Sequence, residues 1–584
     1  MCVTHSMISP VARGIHADTC TSVRNVTILD MGHLNAKSNT DTLGNSKQCT
    51  HGSLCVSCKY SSPINIHILN SLLIDYPNKS SAKLLSEGFS SGFRLEYNGI
   101  REARDSPNLK SIKLNPSAAA AKMSKEISLG RIAGPFVSKP IDKLIVSPIG
   151  LVPKSEPGKF RLIQHLSFPH GSSINDGINP DYCKVKYSGF DTAIELVARI
   201  GPSALMAKAD IESAFRLLPI HPEDFALLGI KVQGLYYVDK ALPMGASCSP
   251  ALFEQFSTFL EWAIKRVSRS ESITHYADDF LFVGLPGNSQ RTCLKIVHQF
   301  QQLCSEVGVP LAAEKSVGPT SQITYLGLQI DAVNQTISVP KGKLESVIDK
   351  VTKGLSSNKL TLRELQSLIG SLSFICKAVA PGRAFLRRLI DLTCGIKKHW
   401  HLIRVSFGAK EDLRMWLVFL QDFNGVSIFQ DQMWLGGEDA KIFTDASGVI
   451  GFAGFLDGRW FQGHWPENVL GHSIAWKEFF PIVTAVCLWG QLLKGKRIIL
   501  KCDNQAVVAI LNKQTSKCSL VMKLLRFMVL QCLKFNLSVR AEYIPGKINN
   551  IADSLSRFQM SRFRLEAPQA ASSPTAVPEF LWRL

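Results

Sequence analysis

Residues 272–284 read SITHYADDFLFVG, with Asp278 and Asp279 side by side between two apolar runs. Both runs have strand composition, and the residues between them are few enough to close a tight hairpin with the two carboxylates at its tip. Adjacent like charges repel, and an apolar setting makes each ionised form costlier, so the arrangement is comfortable only when a cation shares it. The stretch therefore predicts a metal site. A further acid, Asp210, ends the apolar run ALMAKAD. Three such carboxylates suit two Mg²⁺ or Mn²⁺ ions, which activate an attacking oxygen and stabilise the leaving oxygen of a phosphoryl transfer.

Composition points the same way. Lys plus Arg number 66 against 47 Asp plus Glu over 584 residues, a net charge of +19 that favours a polyanionic partner, nucleic acid first. Fifteen cysteines lie scattered without a framework, which fits a reducing compartment better than a disulfide scaffold. No apolar run reaches the roughly 18 residues of a membrane span, so none is expected. Residues 1–61, rich in Ser, Thr, Asn and Cys, show no periodicity and are expected to be disordered; Cys49, Cys55 and Cys58 lack the second pair of a standard zinc spacing. The Pro-, Ala- and Ser-rich residues 559–584 are expected to form a flexible tail. Between these ends, SAAAAKMSKEISLG reads as a helix. So does TLRELQSLIGSLSFI, with Thr361 and Glu364 as a capping box and Leu365, Leu368, Ile369 and Leu372 on one face.

KADIESAF, LPMGASCSP, THYADDF and YLGLQI follow one another in the order and with the separations of the palm motifs of reverse transcriptases. The chain resembles that family over residues 131–340. The resemblance implies a right-hand polymerase: an extension at 62–130 leading into the fingers, fingers and palm at 131–340, and thumb or connection at 341–437. It makes Asp210, Asp278 and Asp279 the catalytic metal ligands. It also places Lys154 and Arg161, in GLVPKSEPGKFRLIQHLS, where the incoming triphosphate binds; a point charge and a forked guanidinium suit phosphate oxygens. By the same resemblance Phe215 blocks a ribose 2′-hydroxyl, and Met244 replaces the polar or aromatic residue frequent at the nucleotide sugar. Lys315 lies near the leaving pyrophosphate as a general acid, and Tyr325, Leu326 and Gly327 form the primer grip. Arg383, Arg387 and Arg388, in the connecting segment, are candidates for tracking phosphates.

A second alternation begins at AKIFTDASGVIGFAGFLDGRWFQGHW, three strands in outline with Asp457 and Gly458 as a tight turn. A buried helix, AWKEFFPIVTAVCLWGQLL, comes next, followed by two strand–helix units, KRIILKCDNQAVVAILNK and LSVRAEYIPGKINNIADSLSR. Asp445, Glu478, Asp503 and Asp553 recur along these elements, and four converging carboxylates again imply paired divalent cations. Their order resembles ribonuclease H over 438–558, which implies hydrolysis of the RNA strand of an RNA–DNA hybrid. Lys547 stands in a loop where many cellular relatives carry histidine. Polymerase followed by ribonuclease H resembles retrotransposons of the DIRS type. The expectation is thus an α/β and α+β multidomain enzyme acting on an RNA template, a DNA primer, dNTPs and RNA–DNA hybrid, with two Mg²⁺ or Mn²⁺ per active site. The alternative is a catalytically silent nucleic-acid-binding remnant of such an element.

Overall fold

The computed structural model describes residues 60–583 apart from 155, 157, 288–291, 423–426, 429–439, 495 and 536. The disorder expected for residues 1–61 and the three cysteines at 49, 55 and 58 therefore fall almost wholly outside the described residues. Tyr60 is described, and it is buried.

Pro116 opens the helix Pro116–Ser128 in its first turn, where a missing N–H costs nothing. That helix buries Ala119 and Met123 against Ile132, Ile149, Leu151 and Ile230. Ile149 and Leu151 belong to an antiparallel hairpin, Ile149–Pro153 with Phe160–Gln164.

The hairpin expected at YADD is present as Ile273–Tyr276 and Asp279–Gly284. It lies in a four-stranded sheet whose order continues through Leu205–Asp210 to Val317–Thr320, antiparallel throughout. Side chains alternate across a strand. Leu281 and Val283 accordingly enter one core, with Met206, while Phe280 and Phe282 enter another, with Phe253, Phe256 and Phe259 of the helix Ser249–Ser268. Burial on both faces explains why FLFVG is continuously apolar.

The helix Leu362–Ile375 begins with the expected capping box: Glu364 N–H donates to Thr361 Oγ1 at 3.2 Å, and Thr361 N–H to Glu364 Oε2 at 2.9 Å. Leu365, Leu368 and Leu372 are buried and Ile369 packs against the same core. Beyond it, Asp412 is buried between Arg388 at 3.1 Å and Arg526 at 3.3 Å. Asp412 thus ties the connecting segment to the helix Ser519–Lys534 through Arg526 and holds Arg388 in an ion pair, because a buried carboxylate demands a cation. Arg387 pairs with Asp391 at 2.5 Å, so only Arg383 of the three arginines has no ion pair among the described residues.

The second alternation forms a five-stranded sheet in the order Arg459–His464, Gly451–Leu456, Ala440–Ala446, Arg497–Cys502, Ser538–Tyr543. The first three strands run antiparallel and the last two parallel to Ala440–Ala446. Asp457 and Gly458 take φ of +45° and +79°, the pair of left-handed residues that a two-residue hairpin turn requires. The helix Ile474–Trp489 buries Phe479, Phe480, Val483 and Val486 in the core shared with this sheet. Residues expected to form a flexible tail pack onto the same domain instead. Met560–Glu566 is helical with Phe563 buried beside Trp460, Leu581 is buried, and Trp582 stacks on Phe480 at 4.8 Å. No described helix is long and apolar enough to cross a membrane.

Candidate active sites

Asp210 and Asp279 face one another as cross-strand partners, and Asp278 occupies the two-residue turn between Tyr276 and Asp279. Ala277 pays for that turn with a φ of +53°, unusual for a residue with a Cβ. The neighbouring backbone is pinned: Ile211 N–H donates to Asp278 O at 3.1 Å, and Ala312 N–H to Asp210 O at 2.9 Å. Burial, then Asp278 and Asp210, push the Asp279 carboxyl up to about 6. Burial and Asp210 raise Asp278 as well. Lys315 Nζ donates to both oxygens of Asp210, at 2.8 and 2.9 Å. One lysine against three carboxylates leaves a deficit of positive charge, and the donor set is all oxygen, which suits hard divalent cations. A cleft of about 390 Å³ is lined by Asp210, Asp278, Lys154, Arg161, Met244 and Lys315. Four of the residues expected to contact nucleotide thus share one cleft with two of the acids.

At the second site Asp445 and Glu478 are buried, on the strand Ala440–Ala446 and in the helix Ile474–Trp489. Asp503 follows the strand Arg497–Cys502 directly. Ser556 Oγ donates to Asp445 Oδ2, and Asn549 Nδ2 to Thr444 O at 2.9 Å, which fastens the helix Asn550–Ser556 to the first strand. Glu478 Oε2 and Asp503 Oδ1 are buried without a hydrogen-bond partner among the described residues. One ligand atom each from Glu478, Asp503 and Cys502 lies within 4.8 Å of the others. Unpaired buried carboxylate oxygens are expensive, so this site also fits a divalent cation. Burial, with Asp445 and Asp503 beside it, pushes Glu478 up to about 9. Burial likewise takes Asp445 to about 6, with Asp503 and Asp553 adding to it and the Ser556 hydrogen bond working against. Asp553 behaves oppositely. Burial would raise it, but ion pairs with Arg557 at 2.6 Å and Arg562 at 2.8 Å outweigh that and lower it. Lys547 is exposed, and its neighbour Gly546 approaches so closely that a Cβ there would lie 3.2 Å from Asp503 Oδ2.

Residues 152–330 match the family model described as reverse transcriptase (RNA-dependent DNA polymerase). The chain carries a reverse transcriptase domain. Its curated relatives include viral and transposon polyproteins. One from Cassava vein mosaic virus is 23% identical over 383 residues, covering 63% of this chain and 54% of that protein. The transposon Tf2-3 polyprotein of Schizosaccharomyces pombe is 22% identical over 455 residues, covering 76% and 31%. The chain thus spans about half of the first and less of the second. Among solved structures, the foamy viral protease-reverse transcriptase in complex with double-stranded DNA is 16% identical, with 82% of this chain and 81% of that one covered and a TM-score of 0.45.

Of the residues expected to contact nucleotide, one stands apart from the cleft. Phe215 is half-buried and sits edge-on to Phe253 at 5.4 Å; Glu212, Ser213 and Ala214 line the wall next to Asp210 instead. Ser213 and Ala214 have φ of +65° and +28°, a strained turn that redirects the following side chain. The triplet expected to grip the primer is a hairpin turn: Tyr325 pairs with Leu328, and Leu326 and Gly327 take φ of +45° and +80°. Tyr325 Oη donates to Asp279 O at 3.4 Å, so this turn braces the hairpin that bears Asp278 and Asp279. Two residues escaped the sequence reading. Arg131 is buried in the cleft wall and donates to Ser213 Oγ at 3.3 Å. His275 is buried 3.3 Å from Glu254 and 2.5 Å from Glu261. Burial opposes its charge, but the two carboxylates outweigh it and hold the imidazole at about 9.

Proposed function

We propose that the reverse transcriptase domain extends a DNA primer along an RNA template with dNTPs, and that residues 438–558 form a ribonuclease H-like domain that hydrolyses the RNA of the resulting hybrid. The observation that carries the first half is the pairing of Asp210 with Asp279, Asp278 in the turn between strands, and Lys154, Arg161 and Lys315 around one cleft. Divalent cations held by the three aspartates would supply the Lewis acidity that activates the primer hydroxyl and offsets charge on the departing pyrophosphate. Lys154 and Arg161 bind the triphosphate. Lys315 Nζ, held protonated by Asp210, gives its proton to the pyrophosphate oxygen as it leaves. Tyr325, Leu326 and Gly327 hold the primer end against the hairpin they brace. The wall of Ser213 and Ala214, backed by Phe215, excludes a 2′-hydroxyl.

The second half is supported by the mixed five-stranded sheet and by the unpartnered buried oxygens of Glu478 and Asp503. Asp445, Glu478, Asp503 and Asp553 would hold the cations there, and ion pairs with Arg557 and Arg562 favour the ionised form of Asp553. A reverse transcriptase followed by a ribonuclease H-like domain, with fingers and palm at 131–340 and thumb or connection at 341–437, supports reading the chain as part of a DIRS-type retrotransposon polyprotein. Primer extension on an RNA template with dNTPs set against rNTPs, run beside cleavage of a labelled hybrid, tests both halves. DNA synthesis with dNTP preference and cleavage of the hybrid are expected. A folded protein that binds hybrid and does neither is the silent remnant.

A further inference from the structure

The short ladder between the two sites carries a surface that neither uses. Strands Lys359–Thr361 and Leu402–Arg404 pair antiparallel, with Lys359 opposite Arg404 and Leu360 opposite Ile403. Leu360 and Ile403 are buried, so the alternation of a strand puts Lys359 and Arg404 together on the exposed face. Arg363 N–H donates to His399 O at 3.1 Å, which draws the turn bearing Lys397 and Lys398 alongside. None of these five cations has an ion pair among the described residues. The nearby acids are already taken: Glu364 by Lys353, Asp391 by Arg387 and Glu411 by Arg414.

Like charges directly opposite on a ladder are destabilising. Beside them Trp400 is 73% exposed, a large apolar face left in water. One kind of ligand relieves both costs, with phosphates for the cations and the face of an unpaired base for the indole. We infer that Lys359, Arg363, Lys397, Lys398, Trp400 and Arg404 grip single-stranded nucleic acid, one base stacking on Trp400. Duplex offers phosphates, but its base faces are already stacked. An acidic peptide offers charge without planar rings. The exposed tryptophan therefore selects the unpaired strand.

The inference needs neither cation nor nucleotide, so it stands or falls apart from the proposed activities. The test uses the full chain in EDTA, with fluorescent oligo(dT), a blunt duplex, and iodouracil-substituted oligo(dT) for photocrosslinking. Trp400→Ala should weaken oligo(dT) binding about tenfold and Trp400→Phe much less, given the usual worth of a base–aromatic stack. Blunt-duplex affinity should not change. Crosslinks should fall on the peptide containing Trp400. Lys359→Gln with Arg404→Gln should flatten the dependence of log affinity on log salt by about 1.4, since single strands contribute roughly 0.7 per neutralised phosphate. Crosslinks confined to other segments, or equal losses for duplex and oligo(dT) in Trp400→Ala, overturn the inference. Binding of polyglutamate with the same Trp400→Ala loss would give the surface to an acidic protein instead, and also overturn it.

Discussion

Glu478→Gln should stabilise the protein in the absence of metal while blunting its response to Mg²⁺. Glu478 is 7% exposed, and one of its oxygens has no hydrogen-bond partner among the described residues. Burial, with Asp445 and Asp503 nearby, raises its pKa from 4.5 to about 9. Between those values the folded protein holds a proton that the unfolded chain releases, so stability falls as pH rises. The loss begins near 4.5 and is complete near 9. Each pH unit costs about 1.4 kcal/mol, so the penalty at pH 7 is about 3 kcal/mol and at pH 5 under about 1. Glutamine keeps the shape and has no proton to gain. Calorimetric unfolding in EDTA should show the variant more stable than the wild type at pH 7, with the gap nearly closed at pH 5. Added Mg²⁺ should raise the wild-type midpoint by mass action and the variant's less, because one ligand is gone. A variant no more stable than the wild type at pH 7, or Mg²⁺ stabilising both equally, would refute the reasoning.

Asp278→Asn should abolish primer extension and leave hybrid cleavage largely intact; retained extension in a gel assay removes Asp278 from the metal set. Asp445→Asn should do the converse, lowering hybrid cleavage by orders of magnitude while extension survives, and loss of both activities in a folded variant would sink the two-site assignment. His275 has its pKa raised to about 9, so its contribution is whole below about 6.5 and lost as pH rises through 9. Denaturant titrations at pH 6.5 and 9 should show a loss of about 3 kcal/mol in the wild type that His275→Gln largely removes, and equal pH slopes would remove the buried clamp from the explanation.

The hairpin tip is legible in the sequence because paired charges amid apolar residues have few uses, and because strand alternation fixes which side chains meet. Asp210 meeting Asp279 follows from two runs that end in acids. The side on which Phe215 falls does not follow. Its five-residue spacing from Asp210 says nothing of the left-handed turn at Ser213 and Ala214 that aims it at Phe253. The ion pair of Arg388 does not follow either: a basic residue gives no hint of Asp412 or, far along the chain, of Arg526, which shares that buried carboxylate with it. The tail misleads because composition averages over residues, whereas packing depends on a few, here Phe563, Leu581 and Trp582. His275 carried a signal that was passed over. Glu254 and Glu261 are seven apart on one helix, hence on one face, and two acids facing an apolar strand call for a cation there.

The two sites solve one electrostatic problem in the same manner. Each gathers carboxylates where water solvates them poorly, and each ties one of them to basic side chains, Asp210 to Lys315 and Asp553 to Arg557 and Arg562. At Asp553 that tie outweighs burial and favours the ionised form, and in both sites the remaining acids are left wanting charge. Asp279 and Asp445, both raised to about 6, are mostly ionised at pH 7, whereas Glu478 at about 9 is mostly protonated. A cation entering the second site therefore displaces a proton from Glu478. Cation affinity at the second site should rise with pH across neutrality, which a titration of Mg²⁺-induced stabilisation at pH 6.5 and 8 checks.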